Sequence, residues 1–359
     1  VFSVGSPGNY TISYVNGTLT VNPAPLTAAV TGTPTRVYNG TTVATLAPAN
    51  YALTGFVSGE GATVTQTAGT YNSKDVVTAT TVSVTLAPTD FTATGATLLS
   101  NYTLPTAASG AGQITAYAVS MTGVRAYDST TSVAAGIFTL NPLVGTETLT
   151  LSGTGSVSSA NAGTYTVALG TLSLGTLALG DGTNGGLAGN YTFTGGTQTV
   201  TIGTAALAVV TASDASKTYG TTYTLGTTAF TVTGLQGSDN ISGVTLTSAG
   251  AINTANAGTY AIVPSDAVFS VGSPGNYTIS YVNGTLTVNP YVVNMTGARA
   301  YDGTANVAAG MFTLGPLALG QTLSLSGSGT IADKNVANGK TVNTSGITLV
   351  NGTGLASNY

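Results

Sequence analysis

The chain has 359 residues, of which 5% are charged, against about 25% in ordinary soluble domains. Histidine and cysteine are absent. This removes the usual general base, thiol nucleophile and disulfides, so we expect no enzyme, cofactor or metal site. The 42% of apolar residues suffice for an ordered core. The 7 Lys and Arg form no basic stripe for nucleic acid, and no apolar run is long enough to span a membrane.

The first element in chain order is a predicted β-hairpin. Alternating apolar and polar residues from Tyr10 to Val21 flank Asn16-Gly17, a dipeptide that favours a two-residue hairpin turn. The whole stretch 1–23 recurs letter for letter at 268–290, which predicts the same hairpin around Asn283-Gly284. An exact repeat at this distance indicates a tandem array of modules.

Alternation with a period of two continues along the chain. The predicted strands are rich in Thr and Val, which suit half-buried pleated surfaces. No apolar pattern with the helical period persists, so we expect an all-β chain. Further strands are predicted at Thr80–Leu86, Thr146–Ser152, Gln198–Ile202 and Gln321–Ser326.

Three short motifs recur in constant order at about 90 residues. The first has a basic residue, a spacer and tyrosine; the second reads Ala-Gly-Thr-Tyr; the third is Asn-Tyr. Copies of the first lie at Arg36–Gly40, Arg125–Ser129, Lys217–Gly220 and Arg299–Gly303. Copies of the second are Ala68–Tyr71, Ala162–Tyr165 and Ala257–Tyr260, and the third ends at Tyr10, Tyr102, Tyr191, Tyr277 and Tyr359.

These motifs predict the domain boundaries. Residues 1–23 are expected to be the C-terminal hairpin of a truncated module. Complete β-sandwiches are predicted at 24–115 (module 1), 116–204 (module 2) and 205–290 (module 3). Residues 291–359 (module 4) are expected to be a sandwich without its last hairpin. The expectation is that both ends are cuts within a longer array.

The basic-x-Tyr motif is predicted to have a structural role. Asn or Asp followed by Gly favours a turn, and the tyrosine is expected to pack with its hydroxyl on a partner. The basic residue is expected to lie over that ring or to pair across an interface. The motif residues are Arg36, Tyr38, Asn39, Arg125, Tyr127, Asp128, Arg299, Tyr301 and Asp302.

The Ala-Gly-Thr-Tyr copies are also predicted to be structural. Tyr71, Tyr165 and Tyr260 are expected to form a corner in which the hydroxyl bonds to upstream backbone. The acidic, glycine-rich stretch 181–186 offers one carboxylate, too few for a strong calcium site, so we interpret it as a plain loop.

Together the Arg-x-Tyr-Asp-Gly-Thr phrase at 299–304, Ala-Gly-Thr-Tyr and the Asn-Tyr…Asn-Gly-Thr-Leu-Thr-Val ending resemble the YDG and MBG modules. Modules 1, 2 and 4 are similar to the YDG type, and module 3 and residues 1–23 to the MBG type. The resemblance implies tandem Ig-like sandwiches of bacterial surface adhesins, exported by two-partner secretion. Short proline-containing joints, such as Asn22-Pro23, favour stacking into an extended rod.

Three functions fit these features. The leading one is a stalk or fibre region of an extracellular bacterial adhesin or biofilm-matrix protein, with neighbouring modules of the same chain or fibre as partners. The second is a carbohydrate- or surface-binding module that uses exposed Thr and Tyr, with polysaccharide as ligand. The third is a filament subunit in which residues 1–23 of one chain complete module 4 of another by β-strand addition.

Overall fold

The computed structural model describes residues 3–169 and 178–359, which contain only β-strands and three-residue 3-10 turns as regular structure. The chain forms two compact units. One comprises Val1–Thr122, Ala134–Thr154 and Leu169–Gln198, the other Gly123–Val133, Gly155–Ala168 and Thr199–Tyr359. The prediction of an all-β chain is confirmed. The 3-10 turns are Pro7–Asn9, Pro48–Asn50, Pro88–Asp90, Leu99–Asn101, Ala135–Ile137, Ala188–Asn190, Pro274–Asn276, Ala309–Met311, Ala318–Gly320 and Ala356–Asn358.

Module 1 is a β-sandwich. Val82 and Val84 alternate along one four-stranded sheet and pack against Val30, Val64 and Phe91 from two strand pairs, so side chains of several sheets share one core. Its strands are Ala24–Pro25, Thr27–Val30, Thr35–Val37, Val43–Thr45, Tyr51–Thr54, Gly61–Val64, Ala68–Tyr71, Thr81–Thr85, Phe91–Thr94, Tyr102–Thr103, Ala107–Ala111 and Gln113–Thr115.

Residues of module 2 contribute to both compact units. In the first unit, Leu149–Ser152 pairs antiparallel with Ala178–Asp181. In the second, Gly163–Thr166 pairs antiparallel with the stretch 199–202. The remaining strands are Tyr117–Ala118, Ser120–Ala126, Ser132–Ala134, Phe138–Asn141, Thr154–Ser156, Tyr191–Thr192 and Gln198–Gly203.

Module 3 has two sheets around a core that includes Val210, Ile241, Ile262 and Leu286. The three-stranded sheet runs in the order Phe230–Thr233, Ala205–Ala212, Tyr277–Val282. The four-stranded sheet runs in the order Ala215–Thr218, Gly284–Asn289, Gly258–Val271, Asn240–Thr247.

The predicted hairpin around Asn283-Gly284 is wrong. Tyr277–Val282 pairs in parallel with the stretch 205–211, whereas Gly284–Asn289 joins the other sheet, so the two strands do not pair with each other. Neither turn residue has a positive φ. Glycine is needed at 284 for another reason, because an added Cβ would lie 2.6 Å from the Ala212 carbonyl oxygen. The dipeptide carries the chain from one sheet to the other.

The predicted hairpin in residues 1–23 is also wrong for the part that the structure describes. Residues 10–23 contain no strand, although the same sequence forms two strands in module 3. In module 3 the two strands pair with other strands of that sandwich.

Module 4 has the strands Met295–Gly297, Asn306–Ala308, Phe312–Leu314, Leu323–Ile331, Val342–Asn343 and Ile347–Asn351. The long central strand Leu323–Ile331 pairs antiparallel with three of them. The four further predicted strands all occur, with bounds trimmed or shifted, at Thr81–Thr85, Leu149–Ser152, Gln198–Gly203 and Leu323–Ile331.

Candidate functional site: the module junctions

The basic-x-Tyr motif folds into a turn that its own arginine closes. In module 1 the Asn39 side-chain oxygen accepts hydrogen bonds from the Thr41 backbone N–H (3.1 Å) and hydroxyl (2.9 Å). Arg36 donates to Asn39 and to the Thr41 carbonyl and hydroxyl. Such a turn uses an Asn or Asp side chain in place of a backbone acceptor.

The same turn recurs in modules 2 and 4. The Asp128 carboxylate accepts the Thr130 N–H and hydroxyl, both at 2.9 Å, and pairs with Arg125. Burial works against ionisation of Asp128, but the bonds from Thr130 and Arg125 outweigh it and lower its pKa. Arg299 lies 3.0 Å from Asp302, which caps the Thr304 N–H at 2.9 Å.

The expected position of the basic residue needs correction. Arg36 does not lie over Tyr38; its guanidinium lies 5.4 Å from the ring centroid of Tyr71 and bonds to its own turn. The equivalent Lys217 of module 3 is buried and donates to the Thr221 carbonyl at 2.8 Å, and burial lowers its pKa. These cations stabilise local backbone.

The Ala-Gly-Thr-Tyr copies occupy two different positions in the sandwich. In module 1, Ala68–Tyr71 pairs with Val43–Thr45, and the Tyr71 hydroxyl donates to the Pro34 carbonyl at 3.0 Å. In module 3 the motif starts the strand that pairs with Gly284–Asn289, and the Tyr260 hydroxyl donates to the Asn256 carbonyl at 2.9 Å.

The strand that contains Tyr165 has the same position as the strand that contains Tyr260, because it pairs with the stretch 199–202 near the end of module 2. Within the described residues its hydroxyl makes no hydrogen bond, so the expected corner is absent there. The same four-residue sequence therefore occurs at two different strand positions, so the motif alone does not identify one position in the sandwich.

The motif tyrosine lies at a junction between neighbouring modules. At junction 1, between modules 1 and 2, the buried Tyr38 donates to Oε1 of Glu147 at 2.5 Å, and Tyr191 of the Asn-Tyr motif donates to Oε2 of the same carboxylate at 2.6 Å. One acceptor in the second module thus binds a tyrosine from each module.

Junctions 2 and 3 repeat this geometry. Tyr127 and Tyr277 both donate to Oδ2 of Asp239, at 2.8 and 2.6 Å. At junction 3 the acceptor is neutral. Gln321 receives the Tyr359 hydroxyl at its Oε1 (2.7 Å) and donates from Nε2 to Tyr219 (2.8 Å). A tyrosine pair on one carboxylate or amide is therefore common to all three junctions.

The two tyrosine rings meet edge to face at every junction. Their centroids are 5.6 Å apart for Tyr38–Tyr191, 5.5 Å for Tyr127–Tyr277 and 5.6 Å for Tyr219–Tyr359. Aromatic rings favour this arrangement. Burial, followed by the bond to Asp239, raises the pKa of Tyr127 and raises that of Tyr277 to about 12. The same causes, with Glu147 as the acceptor, raise the pKa of Tyr38 and Tyr191.

The asparagine of Asn-Tyr supplies a second contact. Asn276 ends a 3-10 turn, is 1% exposed, and accepts the Ala162 N–H of the preceding module at 2.9 Å while donating to Asn161 at 2.9 Å. Asn190 binds Val76 N–H and Asp75 at 2.8 Å each, and Asn358 binds Ala257 N–H at 2.8 Å and Asn256 at 2.9 Å.

A left-handed residue supplies a third contact. Gly220 has φ +88, and a Cβ added there would lie 2.7 Å from the Ala318 Cβ of the next module. Gly40 (φ +77) faces Val144 in the same way, and Ser129 (φ +65) faces Gly237. This explains the glycine or serine that ends the motif, because that position needs a positive φ and little bulk.

Tyr301 and its turn differ from the other copies. The Tyr301 side chain is 60% exposed, and a Cβ added at Gly303 (φ +76) would meet nothing within 4 Å. Thus the structure brings Tyr38 and Tyr127 to equivalent junctions and leaves Tyr301 in solvent.

The shared acceptors were missed in the sequence, although a signal for them exists. Each ends a five-residue stretch that starts with a large apolar residue and contains glycine, and modules 1 to 4 all have one. The stretches are Phe56–Glu60, Leu143–Glu147, Leu235–Asp239 and Leu317–Gln321.

The acidic, glycine-rich stretch 181–186 has a local structural role. The Asp181 carboxylate accepts the Ala188 N–H at 2.6 Å and so caps a turn. In residues 3–169 and 178–359 no cluster of three potential metal-ligating side chains occurs. Those residues also include no helix with the length and hydrophobicity to cross a membrane.

Comparison with known families agrees with this periodicity. The YDG domain family matches residues 22–110 and 283–359, and the MBG domain family (YGX type) matches residues 208–287. These are families of non-catalytic domains. No curated protein matches the chain. Modules 1 and 4 are therefore matched as YDG domains and module 3 as an MBG domain, and the chain belongs to the proteins that contain YDG and MBG repeat modules.

Proposed function

We propose that this chain is a load-bearing stalk or fibre region of an extracellular bacterial adhesin or biofilm-matrix protein. The observation that supports the proposal is the junction itself. Three successive junctions use the same tyrosine pair, shared acceptor and buried asparagine. A repeated set of specific contacts between neighbours resists bending at each joint, which a flexible linker does not.

The composition supports the same role. Side-chain hydrogen bonds such as those of Tyr38 and Asn190 join neighbouring modules. Buried hydrogen-bonded networks confer rigidity when every member has a partner. Low charge also makes the junctions depend little on salt, because screening acts chiefly on exposed charges.

Distance measurements across junction 1 test the proposal. The chain has no native cysteine, so spin labels can be placed at Ser109→Cys and Thr139→Cys, both of which are exposed positions in the first compact unit. We expect a narrow distance distribution in the otherwise native chain. Glu147→Ala should broaden it, because both tyrosines lose their acceptor.

Asp266→Asn is the matched control, since Asp266 is exposed and lies in module 3. A broad distribution in the native chain, or no broadening in Glu147→Ala, would contradict a rigid stalk. Small-angle scattering of the whole chain provides a second readout, for which the proposal requires an elongated particle with a well-defined cross-section.

A further inference from the structure

Two positions with left-handed backbone occur at every junction. The first is the residue that ends the basic-x-Tyr motif, which is Gly40, Ser129 or Gly220 and has a positive φ in each copy. The second lies in the following module, within the five-residue stretch that ends in the shared acceptor. We call this stretch the acceptor stretch, and its copies at junctions 1, 2 and 3 are Leu143–Glu147, Leu235–Asp239 and Leu317–Gln321.

The three acceptor stretches turn in the same way, so their positions can be compared. In each stretch the N–H of the fifth residue donates to the carbonyl of the second residue at 3.1 Å, from Glu147 to Val144, from Asp239 to Gln236 and from Gln321 to Ala318. The third residue has a positive φ in all three, +58 at Gly145, +55 at Gly237 and +56 at Leu319. Glycine adopts this conformation readily, whereas a residue such as leucine does so only rarely.

At junction 2 the two left-handed positions are in direct contact. A Cβ added to Gly237 would lie 2.9 Å from the Cβ of Ser129 and closer still to its Oγ. Ser129 therefore leaves no room for a side chain at position 237. At junction 1 the motif ends in Gly40, and a Cβ added to the equivalent Gly145 would meet nothing within 4 Å.

Junction 3 has the opposite distribution of side chains. The third residue of its acceptor stretch is Leu319, and the motif that precedes it ends in Gly220. Glycine is needed at 220, because an added Cβ would lie 2.7 Å from the Cβ of Ala318. At each of the three junctions, therefore, at most one of the two left-handed positions carries a side chain. It is the motif residue at junction 2 and the acceptor-stretch residue at junction 3.

We propose that the residue that ends the motif selects the module that can follow it. Ser129 accepts an acceptor stretch with glycine at its third position, as in module 3, and excludes one with a side chain there, as in module 4. Gly220 accepts the stretch that contains Leu319. The inference rests on the packed junctions of the proposed function, and it adds that their shape specifies the order of YDG and MBG modules.

Such selection has a purpose in a chain of similar modules. The tyrosine pair and the buried asparagine recur at all three junctions, so these contacts do not distinguish one neighbour from another. Multidomain and repeat proteins are prone to misassembly between domains. A steric clash with the wrong neighbour is one of the two general ways to obtain specificity. The two left-handed positions provide that clash.

Amide hydrogen exchange in the whole chain tests the proposal. The Ala162 N–H reports on junction 2, since it donates across the junction to Asn276. We expect Gly237→Ala to speed its exchange by about 5- to 100-fold, because the new Cβ overpacks the contact with Ser129. In a chain that also carries Ser129→Gly, the same substitution should change this rate by less than about 3-fold.

The strain of alanine at a positive φ does not obscure this result, because it is present in the open and in the closed junction. Gly145→Ala is the matched control at junction 1, where the Val76 N–H donates across the junction to Asn190. It introduces the same side chain at nearly the same φ with no atom near the new Cβ. Exchange of the Val76 N–H should therefore change by less than about 3-fold.

The order of modules is tested by Gly237→Leu, which gives module 3 the third residue that module 4 has. We expect faster exchange of the Ala162 N–H than in Gly237→Ala, and recovery when Ser129→Gly is added. The inference is overturned if Gly237→Ala has no more effect at junction 2 than Gly145→Ala has at junction 1. It is also overturned if Ser129→Gly restores neither variant, since the damage then lies within module 3 and not in its contact with module 2.

Failure of this test is distinguishable from failure of the proposed function. The distance measurements across junction 1 involve neither Ser129 nor Gly237. If junction 1 is rigid while positions 129 and 237 prove independent, the stalk stands and the selection of neighbours does not. If junction 1 is flexible, the stalk is wrong whatever the exchange result.

Discussion

The Tyr127 hydroxyl donates a hydrogen bond to Oδ2 of Asp239, 2.8 Å away, although the two residues lie 112 positions apart in the chain. The same oxygen accepts the Tyr277 hydroxyl at 2.6 Å. A single carboxylate thus holds one tyrosine from each of two neighbouring modules. Because this site is largely removed from water, the contact is sensitive to the loss of any one member.

Removal of the acceptor should destabilise junction 2. Asp239→Ala leaves two largely buried hydroxyls without a partner, and we expect a loss of about 2–4 kcal/mol in the free energy of unfolding of this part of the chain. Asp239→Asn keeps an acceptor oxygen and should lose less. Hydrogen exchange of modules 2 and 3 measures the effect. Asp266→Asn should stay within about 0.5 kcal/mol of the native chain, and equal protection in all variants would count against the junction.

The exact repeat of residues 1–23 at 268–290 provides a control for the buried Asn276. Asn276→Ala removes the acceptor of the Ala162 N–H, and we expect a loss of about 1–3 kcal/mol because that N–H stays buried. The identical motif residue Asn9 is exposed. Asn9→Ala should therefore change stability by less than about 0.5 kcal/mol, with both measured by urea unfolding in dilute solution. Similar losses of stability in both variants would show that the asparagine stabilises its own turn and that its contact with the preceding module contributes little.

Alkaline pH should open junction 2. Burial and Asp239 raise the pKa of Tyr277 to about 12, from an ordinary value of 10.0. The folded state then binds more protons than the unfolded state between these two values, so stability is fully present below about pH 10 and declines as the pH rises through about 12. Absorbance titration should reveal late-ionising tyrosines, and urea midpoints should fall over the same window.

Tyr277→Phe provides the check on this prediction. The variant lacks the hydroxyl, so it should lose one late-ionising group and show a smaller decline of the urea midpoint in that window. A native chain whose stability is flat from pH 9 to 12 would contradict the prediction.

Two glycines of the same motif should respond differently to alanine. Gly220→Ala and Gly303→Ala both place a side chain at positive φ, which costs about 1 kcal/mol. Only Gly220 also faces another module, where the new Cβ would lie 2.7 Å from the Ala318 Cβ. We expect Gly220→Ala to lose about 1–3 kcal/mol more than Gly303→Ala, by thermal unfolding in dilute solution. Equal losses would mean that junction 3 is not packed as described.

The local sequence pattern was sufficient to predict where strands and turns occur. Alternation predicted Thr81–Thr85 and Leu149–Ser152, and Asn39-Gly40 or Asp302-Gly303 predicted turns, because both depend on neighbours within a few residues. Pairing was harder to predict. Asn283-Gly284 has the letters of a hairpin, yet its two strands pair with more distant strands in separate sheets.

The exact repeat shows the same limit most clearly. Residues 17–22 and 284–289 are identical, but in the structure only the second set forms a strand, which pairs with Ala215–Thr218 and with Gly258–Val271. The periodic sequence established by itself an all-β chain of YDG and MBG modules without histidine or cysteine. Which strands pair depended on the folded chain, and so did the contacts by which Glu147, Asp239 and Gln321 each join two tyrosines that lie about 140 to 153 residues apart, because those contacts require distant residues to be brought together by the sandwiches.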